Sequence, residues 1–172
     1  MVFSLLLNYL WFIVITYVTN GSLLAGVSII KRVPKSGLRN KLLTPLDFNK
    51  KFFDGRVLIG DHKPIAGFFI AILWSILFFL VYRHTFALFL PLAVFVGDIL
   101  GSFLKRRLGM KNGESLIVVD QLNFFAASYI VVIWLGINFP FSDFLLLSVL
   151  TFFVHIATNI FAYKIRMKDK PW

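Results

Sequence analysis

Asp98 is an acid in apolar surroundings, LPLAVFVGDILGSFL, and a charge held there is costly unless it does something. On a helix, Ser102 at i+4 and Lys105 at i+7 share its face. A second acid, Asp120, is followed at once by Gln121 and, one turn on, by Asn123. Two carboxylates with hydroxyl and amide oxygens nearby suit Mg²⁺, a hard cation that prefers oxygen ligands. Lys105, Arg106, Arg107 and Lys111 surround them, and a divalent metal in a basic rim is what a nucleoside triphosphate needs. A plainer account stays open for each acid. Asp98 could pair with Lys105 as a structural bridge, and Asp120 could serve as an N-terminal acid favoured by the helix dipole.

A second set of polar groups precedes these, in KRVPKSGLRNKLLTPLDFNKKFFDGRVLIGDHKPIAG. Its prolines and glycines read as a succession of turns rather than one helix. Asp54-Gly55-Arg56 and Gly60-Asp61-His62-Lys63 set charges beside flexible backbone, which can offer N–H groups, a carboxylate and an ammonium to a phosphate–metal unit. A solvated loop with glycine turns would look the same. Asn20 reads as an inter-helix hydrogen-bonding group and His155 as a core histidine. Glu114 is a loop acid.

The elements that must carry these groups are apolar runs of roughly 20 residues, the length that spans ~30 Å of hydrocarbon. They fall at about 3–30, 65–82, 85–104, 121–140 and 143–163. The expected fold is therefore an all-α integral membrane protein with five transmembrane helices, since an open strand cannot satisfy its backbone in lipid. Of 18 Lys and Arg, all but Arg83 lie in the connections 31–64 and 105–120 or in the C-terminal tail. The excess of Lys and Arg on cytoplasmic loops then puts the N-terminus outside, the C-terminus inside and the active site facing the cytoplasm of a multi-pass cell-membrane protein. The other links, Arg83–His84 and Phe139–Asp143, are too short to build a site.

Composition agrees. The chain is 59% hydrophobic and 15% charged, with a mean hydropathy of +0.83. A soluble domain is normally about 45–50% apolar and ~25% charged. The net charge of +10 does not indicate nucleic acid, because the basic residues flank the spans, where they set topology and attract anionic headgroups. The absence of cysteine excludes disulfides, Cys-ligated zinc and iron–sulfur clusters. The three histidines have no metal-ligand spacing. The first segment lacks the basic start of a signal peptide, and its apolar run is too long. One membrane-embedded domain over residues 1–172 is expected; nothing in the residues sets its oligomeric state.

Taken together the motifs resemble the CDP-archaeol synthase family, CTP-dependent cytidylyltransferases of archaeal lipid synthesis. Pro45-Leu46-Asp47-Phe48-Asn49, Asp54-Gly55-Arg56 and Gly60-Asp61-x-Lys63-x-x-x-Gly67 are similar to that family's PxDFG…DGxRxxGxxKTxxG. Gly97-Asp98-x-x-Gly101-Ser102-Phe103-x-Lys105-Arg106 continues the likeness and also resembles the signature of CDP-diacylglycerol synthases. Asp120-Gln121-x-Asn123 stands where the family closes its metal site, and Asn20 matches a family Asn. Asn49 replaces the usual Gly, Pro64 the usual Thr and Ala66 a common Arg. The CDP-alcohol phosphotransferase signature is absent.

The resemblance implies CTP and a polyprenyl ether-lipid phosphate, 2,3-di-O-geranylgeranylglyceryl phosphate, as substrates, and Mg²⁺ as cofactor. CDP-archaeol and pyrophosphate would be the products. The expected catalytic residues are Asp98, Lys105, Asp120 and Lys63, with Asp98 and Asp120 on the metal. Asn40, Asp61, Lys63, Ser102, Lys105, Arg106, Gln121 and Asn123 would bind the nucleotide; Asn20, Asp54 and Arg56 would bind the lipid phosphate. Against this stand a transporter or channel using Asp98 and His155, a non-catalytic lipid-binding scaffold, and a cytidylyltransferase for ester-linked lipids.

Overall fold

The computed structural model describes residues 2–111, 114 and 116–167. Seven helices form: α1 (Val2–Asn8), α2 (Leu10–Arg32), α3 (Gly37–Leu42), α4 (Ile65–Tyr82), α5 (Thr85–Arg107), α6 (Ile117–Trp134) and α7 (Phe141–Lys164). Five of them, α2, α4, α5, α6 and α7, are long and apolar enough to cross a membrane, in the expected order. The described residues contain no sheet, only the isolated pairings Pro45–Pro64 and Lys51–Val57.

The bounds differ from the hydropathy reading for local reasons. The first run breaks at Tyr9 (φ −110°, ψ 18°), so α1 is a separate short helix. α5 continues through its three basic residues to Arg107. α6 starts a turn early at Ile117, which puts Asp120 inside its first turn, and it stops at Trp134 rather than near 140. The stop is a Schellman motif. Gly136 takes φ 71°, its N–H donates to the Ile133 carbonyl, and the Ile137 N–H donates to Val132. Only a residue at ease in the left-handed region ends a helix this way, and a 20-residue hydropathy window does not register it.

α5 is the hub, packed by α2, α4 and α6, while α7 lies on α6. Lipid is as apolar as leucine, so close approach rather than hydrophobicity holds such helices together. Gly97 supplies it: a Cβ there would stand 2.5 Å from the Asn123 carbonyl and 2.9 Å from the Phe124 Cα. Gly101, one turn on, lies against the Asn123 side chain. The GxxxG step thus brings the backbones of α5 and α6 together beside Asp98. Aromatic rings pack between the helices, with Phe12 edge-on to both Phe125 and Phe139 and Tyr9 stacked on Phe139.

Candidate active site

Three elements meet at the end of the bundle where the basic connections lie. Lys63 precedes Pro64, the N-cap residue of α4, and its Nζ donates to Asp98 Oδ2 at 2.5 Å. Lys105, in the last turn of α5, pairs with Asp120 Oδ1 at 2.7 Å. The other Asp120 oxygen accepts from the Leu116 N–H at 2.9 Å, which satisfies a free donor at the start of α6. Asp98 therefore bonds across elements to Lys63 and not along its helix to Lys105. Both acid–lysine pairs are half-buried, with side chains 16–26% exposed.

The long connection folds against this end. Asp47 is buried and accepts three backbone N–H bonds, from Asn49 (3.0 Å), Ile59 (2.7 Å) and Gly60 (2.9 Å). Burial by itself would push the Asp47 pKa up; the backbone N–H bonds from Gly60, Ile59 and Asn49 outweigh it and hold the carboxyl below the usual range. Leu46 N–H donates to the Lys63 carbonyl (2.8 Å) and Ile65 N–H to Thr44 (2.9 Å). The Asp47 brace and these two bonds set the Gly60–Lys63 turn from which Lys63 reaches Asp98.

A second contact clamps the loop to the end of α5. Arg107 bonds Asp54 at 2.7 Å, donates to the Val57 carbonyl, and lies 4.9 Å from the ring centres of both Phe52 and Phe103. Arg56 donates to the carbonyls of Arg107 (2.5 Å) and Arg106 (3.4 Å) in the last turn of α5, the Arg106 carbonyl also accepting from the Gly109 N–H (3.1 Å). Asp54 and Arg56 thus already hold structural bonds.

The remaining expected residues sit as follows. Arg106 is buried, with Nη1 on the Met110 carbonyl, and its Nε has no hydrogen-bond partner among the described residues. Ser102 Oγ donates to the Asp98 carbonyl (3.2 Å). The Asn123 side chain lies beside Gly101 and accepts from the Phe124 N–H (2.6 Å). Gln121 is buried and accepts from Asn159 (3.3 Å). Asn40 is exposed on α3, and Asp61 is exposed in the turn before Lys63. Asn20 bonds the His155 ring (3.1 Å) deeper in the bundle. His62 is held below its usual pKa by burial first, then by the charges of Lys31, Lys63 and Arg106, which outweigh Asp61.

Among the described residues no three His, Cys, Asp or Glu side chains gather to hold a metal. Mg²⁺ does not need such a cage: it binds through one or two carboxylates plus substrate phosphates. Two carboxylates in a field of positive charge, with the Arg106 Nε lacking an acceptor, fit a cation that arrives with its phosphates.

Two residues outside the expected set prove structural. Asp47 could have been picked out by its spacing to Asn49, because an Asp whose carboxylate accepts the N–H two residues on is an Asx turn. Asn159 gave no signal beyond being polar in an apolar run. Asn49 stands where the resemblance expects Gly, and its φ of 57° explains the exchange: Asn is among the few other residues that tolerate this region. Ala66 is buried in the first turn of α4, and nothing in the structure explains the loss of an arginine there.

The fold and these groups define a multi-pass helical membrane protein with ion-paired carboxylates and basic side chains gathered at one end of the bundle. A model of the CarS-like CDP-archaeol synthase family matches residues 2–172, and the chain belongs to that family. The CDP-archaeol synthase of Saccharolobus islandicus is 36% identical over 136 residues, covering 75% of this chain and 82% of the relative. That of Sulfolobus acidocaldarius is 32% identical over 145 residues, with 75% and 83% covered. A solved structure of an intramembrane enzyme for archaeal membrane lipid biosynthesis superimposes with a TM-score of 0.58 at 28% identity. It covers 81% of this chain and 92% of that one. The transporter reading of Asp98 and His155 finds no support: the relatives are synthases, and the two residues have separate partners, Lys63 and Asn20.

Proposed function

We propose that the chain transfers the cytidylyl group of CTP to an unsaturated archaeal ether-lipid phosphate, 2,3-di-O-geranylgeranylglyceryl phosphate, at the cytoplasmic face of the membrane. A phosphate oxygen of the lipid attacks the α-phosphorus of CTP. The bond from that phosphorus to the oxygen bridging to the β-phosphate breaks, and pyrophosphate leaves. The family supports the reaction. The observation that carries it to named residues is the convergence of Lys63–Asp98, Lys105–Asp120 and buried Arg106 at one end of the bundle.

A lipid phosphate is already largely dianionic near pH 7, so the protein need supply no nucleophile. Its work is to orient and to neutralise charge. Asp98 and Asp120 would hold Mg²⁺, which when bound draws charge from the nucleotide phosphates. Lys63 and Lys105 turn from their carboxylates to phosphate oxygens, and Arg106 meets the departing pyrophosphate. Ser102, Gln121 and Asn123 orient the nucleotide phosphates. Asn40 and Asp61 are assigned to the nucleotide at the loop side. Asn20 and Arg56 stay assigned to the lipid phosphate, and Asp54, which a phosphate would repel, serves there only by holding Arg107 and the Arg56 N–H. The cytoplasmic placement rests on the one-sided distribution of Lys and Arg.

The test is incorporation of labelled CTP into lipid by purified protein with Mg²⁺ and the ether-lipid phosphate. Label in the lipid fraction for wild type and none for Asp98→Asn supports the reading. No label from folded wild type with either ether- or ester-linked lipid phosphates sinks it.

A further inference from the structure

Most of the exposed large apolar residues lie on the five spans, as lipid contact requires. The turn 48–53 departs from that pattern. Phe53 is 98% exposed and Phe48 64% exposed, and Lys50 and Lys51 between them are exposed as well. Phe48 and Asn49 both take left-handed backbone, φ 50° and 57°, and for a bulky residue such as Phe48 this is strained. A strained turn that presents two aromatic rings to the outside implies a use for them.

The depth of the turn is set by its contacts. Val96, Leu100, Leu104 and Leu108, spaced four apart, form an exposed apolar stripe on α5 that runs past the end of the helix. Phe103 adjoins Leu104 near the end of that stripe. Phe52 stands edge-on to Phe103 with centroids 5.4 Å apart, and Phe53 packs on Phe52 at 4.8 Å. That packing would set the turn level with the edge of the hydrocarbon, where an aromatic ring buries its face and a lysine meets headgroup phosphate.

We propose that the turn 48–53 is an interfacial anchor: Phe53 and Phe48 enter the headgroup layer of the leaflet at the basic end, and Lys50 and Lys51 bind anionic lipid phosphates there. The anchor acts on the segment that ends in Lys63, and the Arg107 contacts with Phe52, Phe103 and Asp54 tie it to α5.

The chain has no cysteine, so single-cysteine variants can carry a fluorophore cleanly. Phe53→Cys and, with Phe53 kept, Phe48→Cys would be labelled and reconstituted in anionic vesicles. Lys35→Cys serves as the water reference and Leu100→Cys as the lipid reference. Labels at 53 and 48 should be quenched by brominated lipid as at 100, and several-fold less by aqueous iodide than at 35. Lys50→Gln with Lys51→Gln, or zwitterionic vesicles, should shift both labels toward the water reference. Iodide quenching equal to that at position 35 overturns the anchor. Shielding from both quenchers overturns it too, and indicates a protein neighbour instead.

Discussion

Polar groups occupy two regions of this bundle, and they are of different kinds. At the basic end, lysines and arginines face carboxylates: Lys63–Asp98, Lys105–Asp120 and Arg107–Asp54. Against α7 the pairs are neutral: Asn20 of α2 with His155 and Gln121 of α6 with Asn159. Phe124 links the two regions, its Cα against Gly97 and its ring against His155, 5.1 Å between centroids. The difference follows from access to water. Half-exposed ion pairs keep part of their hydration and can exchange partners when a phosphate arrives. Neutral amide and imidazole pairs in the interior mainly fix how helices sit, and are worth about 0.6 kcal/mol each in membrane proteins.

The largest expected effect tests the charged region. Asp98→Asn keeps the shape and removes the charge, and should lower turnover at least ~100-fold, the scale of losing one preorganised electrostatic group. The variant should stay folded by circular dichroism and gel filtration. Normal turnover with Mg²⁺ would break the distinction between the two regions. Next comes Gly97→Leu, which should force α5 and α6 apart, costing about 1–3 kcal/mol of stability and lowering activity as the Lys105–Asp120 contact shifts. Full activity would mean that the crossing does not position the site.

Asp47 sharpens the comparison because it is a charge with a structural duty. Asp47→Ala leaves the Asn49, Ile59 and Gly60 N–H groups without their acceptor and should cost about 1–3 kcal/mol of loop stability. The pH sign follows from the depressed carboxyl. The bonds contribute fully above the ordinary value of 3.8, and the contribution is lost as pH falls through the lower folded value. Limited proteolysis of residues 48–60 should therefore accelerate in wild type only below about pH 4, and at every pH in Asp47→Ala. Equal cleavage of the two proteins at neutral pH would show that the carboxylate does not hold the loop.

The charged region was the more legible one in the sequence. Asp98 stands out because a lone acid among apolar residues has few bland explanations, and the five spans follow from composition alone. Its partner was not legible. The shared helix face pointed to Lys105, and the Asp47-braced turn supplies Lys63 instead. Helix ends were misplaced where backbone geometry at Tyr9 and Gly136 overrides hydropathy. The neutral region was nearly silent, since one Asn or Gln in an apolar run gives no hint of which helix it faces.

The smallest expected effect falls there, and it separates two duties of one residue. Asn20 bonds His155 and is also assigned to the lipid phosphate. His155→Leu removes the bond and leaves Asn20 in place, so it should cost about 0.6 kcal/mol of stability and leave both KM values unchanged. Asn20→Leu should cost a similar amount and in addition raise the KM for the lipid phosphate several-fold, with the KM for CTP unaffected. The double variant should then be no less stable than Asn20→Leu, because the shared bond can be lost only once. If Asn20→Leu matches His155→Leu in every respect, Asn20 belongs wholly to the neutral region and its assignment to the substrate fails.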